Sequence, residues 1–136
     1  TDALRQRQDG VEALKADPAI VVFQHDDHVP AKDFFRVLTE HYATDANWDV
    51  LVPERRTFKN GTEVVLNSGR NEYIMGHCCV MRRPLWRVAP WTHAPAGFTW
   101  DVGYTFLLKE WGAIIRWAPD LVVYDVETKL GAKPWA

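Results

Sequence analysis

The first part of the chain has a helical hydrophobic pattern that changes abruptly to an extended one. Over residues 2–16, Leu4, Val11 and Leu14 fall on one stripe of a helix whose other positions are mostly polar. A continuous run of β-favouring side chains follows, which is typical of a strand that is buried on both faces. The sequence therefore predicts a helix and then a buried strand over residues 19–24.

The rest of the chain alternates between helical and extended segments. The pattern predicts helices over residues 30–42, 84–88 and 100–111, and strands over residues 48–52, 62–66, 73–81, 113–117 and 121–126. Pro53 is expected to end the second strand, and Gly112 is expected to end the last helix. These elements predict one α/β domain over residues 1–136, with a mixed sheet flanked by helices.

The charge balance excludes one class of partner. The chain has 136 residues with 16 basic and 18 acidic side chains, so the formal net charge is −2. No cluster of lysine and arginine dominates, and we therefore expect no nucleic-acid partner. No apolar run reaches the roughly 18 residues that a membrane span needs, and the amphipathic start of the chain does not resemble a signal peptide.

The two cysteines, Cys78 and Cys79, are neighbours in the sequence. Adjacent cysteines rarely form a disulfide because the resulting ring is strained. We expect two reduced thiols in a buried strand, which favours a cytoplasmic location. Zinc is not expected at the thiols, because a second pair of soft ligands at the usual spacing is missing.

Polar residues follow the first buried strand in the order His25, Asp26, Asp27 and His28. In open α/β sheets, ligands bind at the carboxyl ends of the strands. Two adjacent carboxylates repel each other, so a metal ion, a buried base or sugar hydroxyls would be needed to compensate them. A solvated turn before the helix that Pro30 is expected to begin explains the same residues without a ligand.

Five motifs, taken in order, resemble those of the family 2 inverting glycosyltransferases, which have the GT-A fold. They are Arg7-Gln8-Asp9-Gly10, His25-Asp26-Asp27 with Pro30, residues 76–83, Trp100-Asp101 at the start of a helix that ends at Gly112, and residues 119–125. Three positions depart from the family pattern: His25 replaces an acidic residue, Trp100 replaces a glutamate, and Asp125 stands where a histidine is usual. The resemblance implies a GT-A-like fold. It also implies that the given sequence starts about a third of the way along that fold.

The resemblance implies a nucleotide-diphosphate sugar as the donor and a divalent cation, Mn²⁺ or Mg²⁺, as the cofactor. Asp27 would bind the cation, and Asp125 would complete the ligand set because an oxygen ligand suits these ions. Asp26 would contact the ribose hydroxyls or the water around the metal, and Arg7 would approach the diphosphate. The alternative for Asp125 is a solvent-facing strand residue.

The resemblance also implies that Asp101 is the base that takes a proton from the acceptor hydroxyl. Its position at a helix N-terminus would keep the carboxylate ionised, although the same position is that of a helix cap. Trp91, His93 and Trp100 would bind a carbohydrate or another hydroxyl acceptor, since aromatic rings stack on the apolar faces of sugars. Core packing is the alternative for the two tryptophans.

Family members begin with a β-α-β segment that holds the nucleotide base, and the resemblance in the given sequence starts after the point where that segment would end. The sequence is therefore a fragment, or the protein dispenses with that segment, or a partner chain supplies it. The main alternative function is a non-catalytic carbohydrate- or nucleotide-binding domain with a degenerate site. A third candidate is another metal-dependent phosphoryl enzyme that uses the same acidic strand end.

Overall fold

The computed structural model describes residues 2–15, 18–25, 27–66, 72–74, 78–82 and 84–125. The helices are α1 (Asp2–Glu12), α2 (Phe34–Thr44), α3 (Leu85–Val88) and α4 (Trp100–Glu110), with a short 3₁₀ turn at Trp91–His93. The strands are β1 (Ile20–Gln24), β2 (His28–Pro30), β3 (Val50–Lys59), β4 (Thr62–Val65), β5 (Cys78–Arg82) and β6 (Ile115–Asp125). None of the helices within these ranges has the length and apolar character that crossing a membrane requires.

The strands form one mixed sheet in the order β1-β5-β3-β6-β2, and β4 pairs with the outer half of β3. Only β3 and β6 run parallel among the described pairs, and the other pairs are antiparallel. The predicted mixed sheet with flanking helices is therefore confirmed at this level.

The sheet curls until its two edge strands meet. In a flat sheet, β1 and β2 would stand four strand spacings apart, or about 19 Å. The four Cα–Cα steps from Gln24 to His28 span at most about 14 Å, so the short link forces the edges together. The Gln24 Nε2 group also donates a hydrogen bond to the His28 carbonyl at 2.6 Å, and the result is a nearly closed, barrel-like sheet.

The two faces of the sheet have separate hydrophobic cores because strand side chains alternate between faces. Val50 and Val52 of β3 point to the core that is covered by α1 and α4, whereas Leu51 points to the core that is covered by α2. The largest fully buried side chains are distributed over both cores and include Trp48, Trp91, Tyr104 and Phe34.

The neighbouring cysteines lie on β5 and face opposite cores. Cys78 packs in the α2 core and Cys79 in the α1/α4 core, and both are buried free thiols as predicted. Burial raises the pKa of the Cys79 thiol to about 12 and raises that of Cys78 as well. Both sulfurs are therefore protonated at neutral pH, which makes them poor metal ligands and poor nucleophiles.

Two local signals in the sequence predicted turns that the structure contains. Asn60 and Gly61 both have positive φ and connect β3 to β4, as in a two-residue hairpin turn. Helix α4 ends just before Gly112, which has φ of 76°, and Gly112 N–H donates to the Lys109 carbonyl. The Ala113 N–H donates to the Leu108 carbonyl, which completes a Schellman motif.

Three boundaries that were predicted at prolines were wrong, because each proline is tolerated within or at the end of a strand. Pro30 does not begin a helix but ends the edge strand β2, and α2 begins at Phe34. Pro53 does not close β3, because the ladder with β6 changes register directly after it. Residues 118–120 are not a turn between two strands, since β6 continues through Pro119. The pairing of β6 with β3 shifts register at this point, as in a β-bulge.

Candidate functional site

The link between β1 and β2 brings two imidazoles to one carboxylate. The His28 Nδ1 atom lies 2.6 Å from Asp27 Oδ1, and the His25 Nδ1 atom lies 3.1 Å from the same oxygen. One ligand atom from each of the three residues lies within 4.8 Å of the others. We call these three residues the His-Asp-His cluster, and together they could hold a divalent cation.

The cluster differs in part from the metal site that the resemblance implies. Asp27 belongs to it as expected, whereas Asp26 lies outside the described residues. Asp125 is opposite His28 in the β2–β6 ladder but does not belong to the group of three. Its Oδ2 atom accepts a hydrogen bond from Arg55 at 2.6 Å, so its charge is already balanced by a guanidinium.

A cavity of about 480 Å³ lies between α1 and the start of the sheet. We call this cavity the α1/β1 groove. It is lined by Gln6, Arg7, Gly10, Val11, Leu14 and the β1 segment from Val21 to His25. His25 is therefore shared between the groove and the His-Asp-His cluster, so a ligand in the groove would reach the cluster at the end of β1.

Arg7 connects the groove to the start of α4. Its guanidinium carbon lies 4.0 Å from the centre of the Trp100 ring and 5.7 Å from that of Trp91. Burial lowers the pKa of Arg7, while the nearby carboxylate of Asp101 opposes that shift. Arg7 thus places a partly desolvated positive charge between the groove and Asp101.

Asp101 lies in the first turn of α4, where helix N–H groups lack partners within the helix. Its Oδ1 atom accepts a hydrogen bond from the Val102 N–H at 2.9 Å. Its carbonyl accepts from the Thr105 hydroxyl, which in turn accepts from the Ile74 N–H. The side chain therefore interacts with the helix end as a cap would, and the backbone beneath it is held in place.

The three expected acceptor residues have different environments. Trp91 is fully buried and stacks on Tyr104 with ring centres 3.7 Å apart, so neither face is open to a sugar. This corrects the expectation for Trp91, which belongs to the core because the Phe23 ring also packs against it. Trp100 is partly buried beside Arg7, and His93 is exposed at the end of the 3₁₀ turn.

Gln8 is a buried polar residue that the sequence pattern did not single out. Its Oε1 atom accepts a hydrogen bond from the backbone N–H of Trp91 at 2.9 Å, and its Nε2 group donates to the Glu12 carboxylate at 3.0 Å. Gln8 therefore anchors α1 to the 3₁₀ turn. The signal in the sequence was a polar residue on the stripe between Leu4 and Val11, where an apolar side chain is the usual choice.

Comparison with known proteins adds no family to this description. No protein family model matches the chain, and no curated protein matches it.

Proposed function

We propose that this chain is a metal-dependent inverting glycosyltransferase that moves a sugar from a nucleotide-diphosphate donor to an acceptor hydroxyl. The observation that carries the proposal is the α1/β1 groove, which is lined by Arg7 from α1 and by His25 from the end of β1. His25 contacts the His-Asp-His cluster, and Arg7 is close enough to Asp101 to interact electrostatically with it. The groove therefore adjoins the cluster at His25, and Arg7, which lines the α1 side of the groove, interacts electrostatically with Asp101.

The donor would occupy the groove with its diphosphate between Arg7 and the cluster. A diphosphate is a poor leaving group unless its negative charge is balanced. A bound Mn²⁺ or Mg²⁺ ion would supply that balance from the cluster side. Arg7 would supply it from the other side, and its stacking on Trp100 would keep the guanidinium oriented when the phosphate binds.

The acceptor would approach from the start of α4, where Asp101 takes the proton of the attacking hydroxyl. Trp100 is the aromatic ring that adjoins both Arg7 and Asp101, which suits it to contact the sugar during transfer. The resemblance to family 2 supports the GT-A assignment, and the buried free thiols support a cytoplasmic location.

The experiment is a transfer assay with the purified chain, a panel of nucleotide-diphosphate sugars and Mn²⁺. Release of nucleotide diphosphate and formation of glycosylated product are measured together. We expect Asp101→Asn to lower kcat by about 10²–10⁴-fold, because this is the usual contribution of a general base. Donor affinity should change little, since Asp101 is assigned to the acceptor side.

The matched control is Asp33→Asn, which removes an exposed carboxylate that pairs with Arg36 next to another helix start. This variant should keep the activity of the unmodified chain. Donor binding without product would contradict the transfer reaction and favour a non-catalytic binding domain. Metal-dependent phosphate release that needs no acceptor would instead favour a phosphoryl enzyme.

A further inference from the structure

We propose that His25, Asp27 and His28 together form a site that selects a first-row transition metal ion over Mg²⁺. The resemblance points to a carboxylate-based site for a hard cation, and it does not assign the two histidines to the metal. The inference rests on the proposed function for the role of the ion in catalysis, but binding of the ion is a separate property. It depends on geometry, on the fold and on the chemistry of the three side chains.

The two histidine–aspartate distances are close to the separations between neighbouring ligands of a metal ion. When ligand atoms stand about 2.1 Å from a metal, neighbouring ligands are about 3.0–3.4 Å apart. The His25 nitrogen is 3.1 Å from the Asp27 oxygen, which is within this range, and the His28 nitrogen is 2.6 Å from it. A bound ion would replace the Nδ1 protons that now lie between the imidazoles and the carboxylate, and the His28–Asp27 pair would move apart by a few tenths of an ångström to admit it.

The fold fixes this arrangement from both ends. His25 follows directly after β1, and His28 is the first residue of β2, where it pairs with Asp125 of β6. The Gln24 side chain holds the His28 carbonyl, and the His28 N–H donates to the His25 carbonyl. The backbone that carries all three ligands is thus constrained, which lowers the entropy lost when a metal binds.

The charges around the cluster favour a cation. Asp27 carries the one negative charge among the three ligands. Arg55 of β3 pairs at 2.6 Å with Asp125, which stands opposite His28 in the β2–β6 ladder, so the charge of this guanidinium is balanced. The fourth position of a tetrahedral ion would face solvent or the α1/β1 groove, because the His25 side chain is 42% exposed while that of His28 is 6% exposed.

The ligand types decide which ion binds. Mg²⁺ prefers oxygen ligands and keeps most of its water, so two imidazoles are a poor match for it. Imidazole suits zinc, copper, iron and nickel, and affinity in such sites rises from Mn²⁺ through Co²⁺ to Cu²⁺. Two histidines and one carboxylate with open positions are also the ligand set of many catalytic transition-metal sites.

A second histidine–aspartate pair provides the matched control. His41 Nε2 lies 2.8 Å from Asp120 Oδ1, a spacing similar to that in the cluster. Among the described residues, this pair has no third metal-binding side chain that completes a group of three. It therefore tests whether a histidine–aspartate contact alone binds the ion.

The test uses the chain without a histidine tag, titrated with Co²⁺, Zn²⁺ and Mg²⁺ in the absence of any donor. Visible absorption of bound Co²⁺ reports the ligand environment, and calorimetry gives stoichiometry and affinity. We expect one equivalent of Co²⁺ or Zn²⁺ to bind, and a large excess of Mg²⁺ to leave it in place. His25→Gln and Asp27→Asn should each weaken binding at least about tenfold, whereas His41→Gln should not.

His25→Gln is the main variant because its side chain is half-exposed, and circular dichroism checks that the variant folds. Absence of stoichiometric binding would overturn the inference, as would equal affinity for Mg²⁺ or equal losses in His25→Gln and His41→Gln. The transfer assay is separate. Metal binding without transfer contradicts only the proposed function, and transfer with Mg²⁺ that His25→Gln leaves unchanged contradicts only this inference.

Discussion

Helices α1 and α4 are both 11 residues long and cover the same face of the sheet, yet they are held very differently. Helix α4 buries Gly103, Tyr104, Thr105 and Leu108, and the Tyr104 hydroxyl donates to the Ala89 carbonyl at 2.8 Å. Among the residues of helix α1 whose burial is described, Leu4, Gln8 and Val11 are buried, and cavities adjoin the helix on two sides. Asp101 therefore lies on a tightly packed helix, whereas Arg7 lies on a helix that buries fewer side chains.

The largest expected effect comes from truncating one leucine in each helix. Leu108→Ala should lower the free energy of unfolding by about 3–5 kcal/mol, because the site is fully buried and cannot collapse easily. Leu4→Ala should cost about 1–2 kcal/mol less, since α1 can shift towards the space that is left. Urea unfolding of both variants measures the difference. Equal losses would show that α1 is packed as tightly as α4.

A pair of glycine substitutions should change stability in opposite directions. A Cβ atom at Gly103 would stand 2.9 Å from the Pro95 carbonyl oxygen, so Gly103→Ala should destabilise the protein by about 1–3 kcal/mol. A Cβ atom at Gly10 would meet nothing within 4 Å, so Gly10→Ala should stabilise α1 by about 0.5–1 kcal/mol. Thermal melting of the two variants tests the signs, and destabilisation by Gly10→Ala would contradict the open environment of α1.

The most local effect is expected at the anchor of α1. Gln8→Ala leaves the buried Trp91 N–H without its acceptor and should cost about 1–3 kcal/mol, much of it as local opening of α1. Hydrogen exchange of the Trp91 amide should accelerate more than that of the α4 amides. Gln6→Ala, on the exposed side of the same helix, is the control. Uniform acceleration across both helices would show that α1 does not open independently.

Much of the fold could be predicted because its signals are local. The apolar run of β1, the Asn60-Gly61 turn and the glycine stop of α4 each depend on neighbouring residues alone. The strand boundaries at Pro30, Pro53 and Pro119 could not be predicted in this way. Each of these prolines is tolerated because of a pairing partner or a register change elsewhere in the sheet.

The candidate site was predictable in its position but less so in its composition. Asp27 was expected to bind a metal because acidic residues follow a buried strand. The participation of His28 depends on β2, a three-residue strand that the pattern did not predict. The burial of Trp91 depends on Phe23 and Tyr104, which are distant in sequence, and no local pattern distinguishes a core tryptophan from one that faces a ligand.

The three residues between β1 and β2 also determine the curvature of the whole sheet, since they join strands at opposite ends of the strand order. One or two extra residues in this link would leave both hydrophobic cores unchanged in composition. They would nevertheless let the edges separate, and the imidazoles and the carboxylate would lose their common position. The length of this loop, as much as the identity of its side chains, is therefore what evolution or a protein engineer cannot freely change.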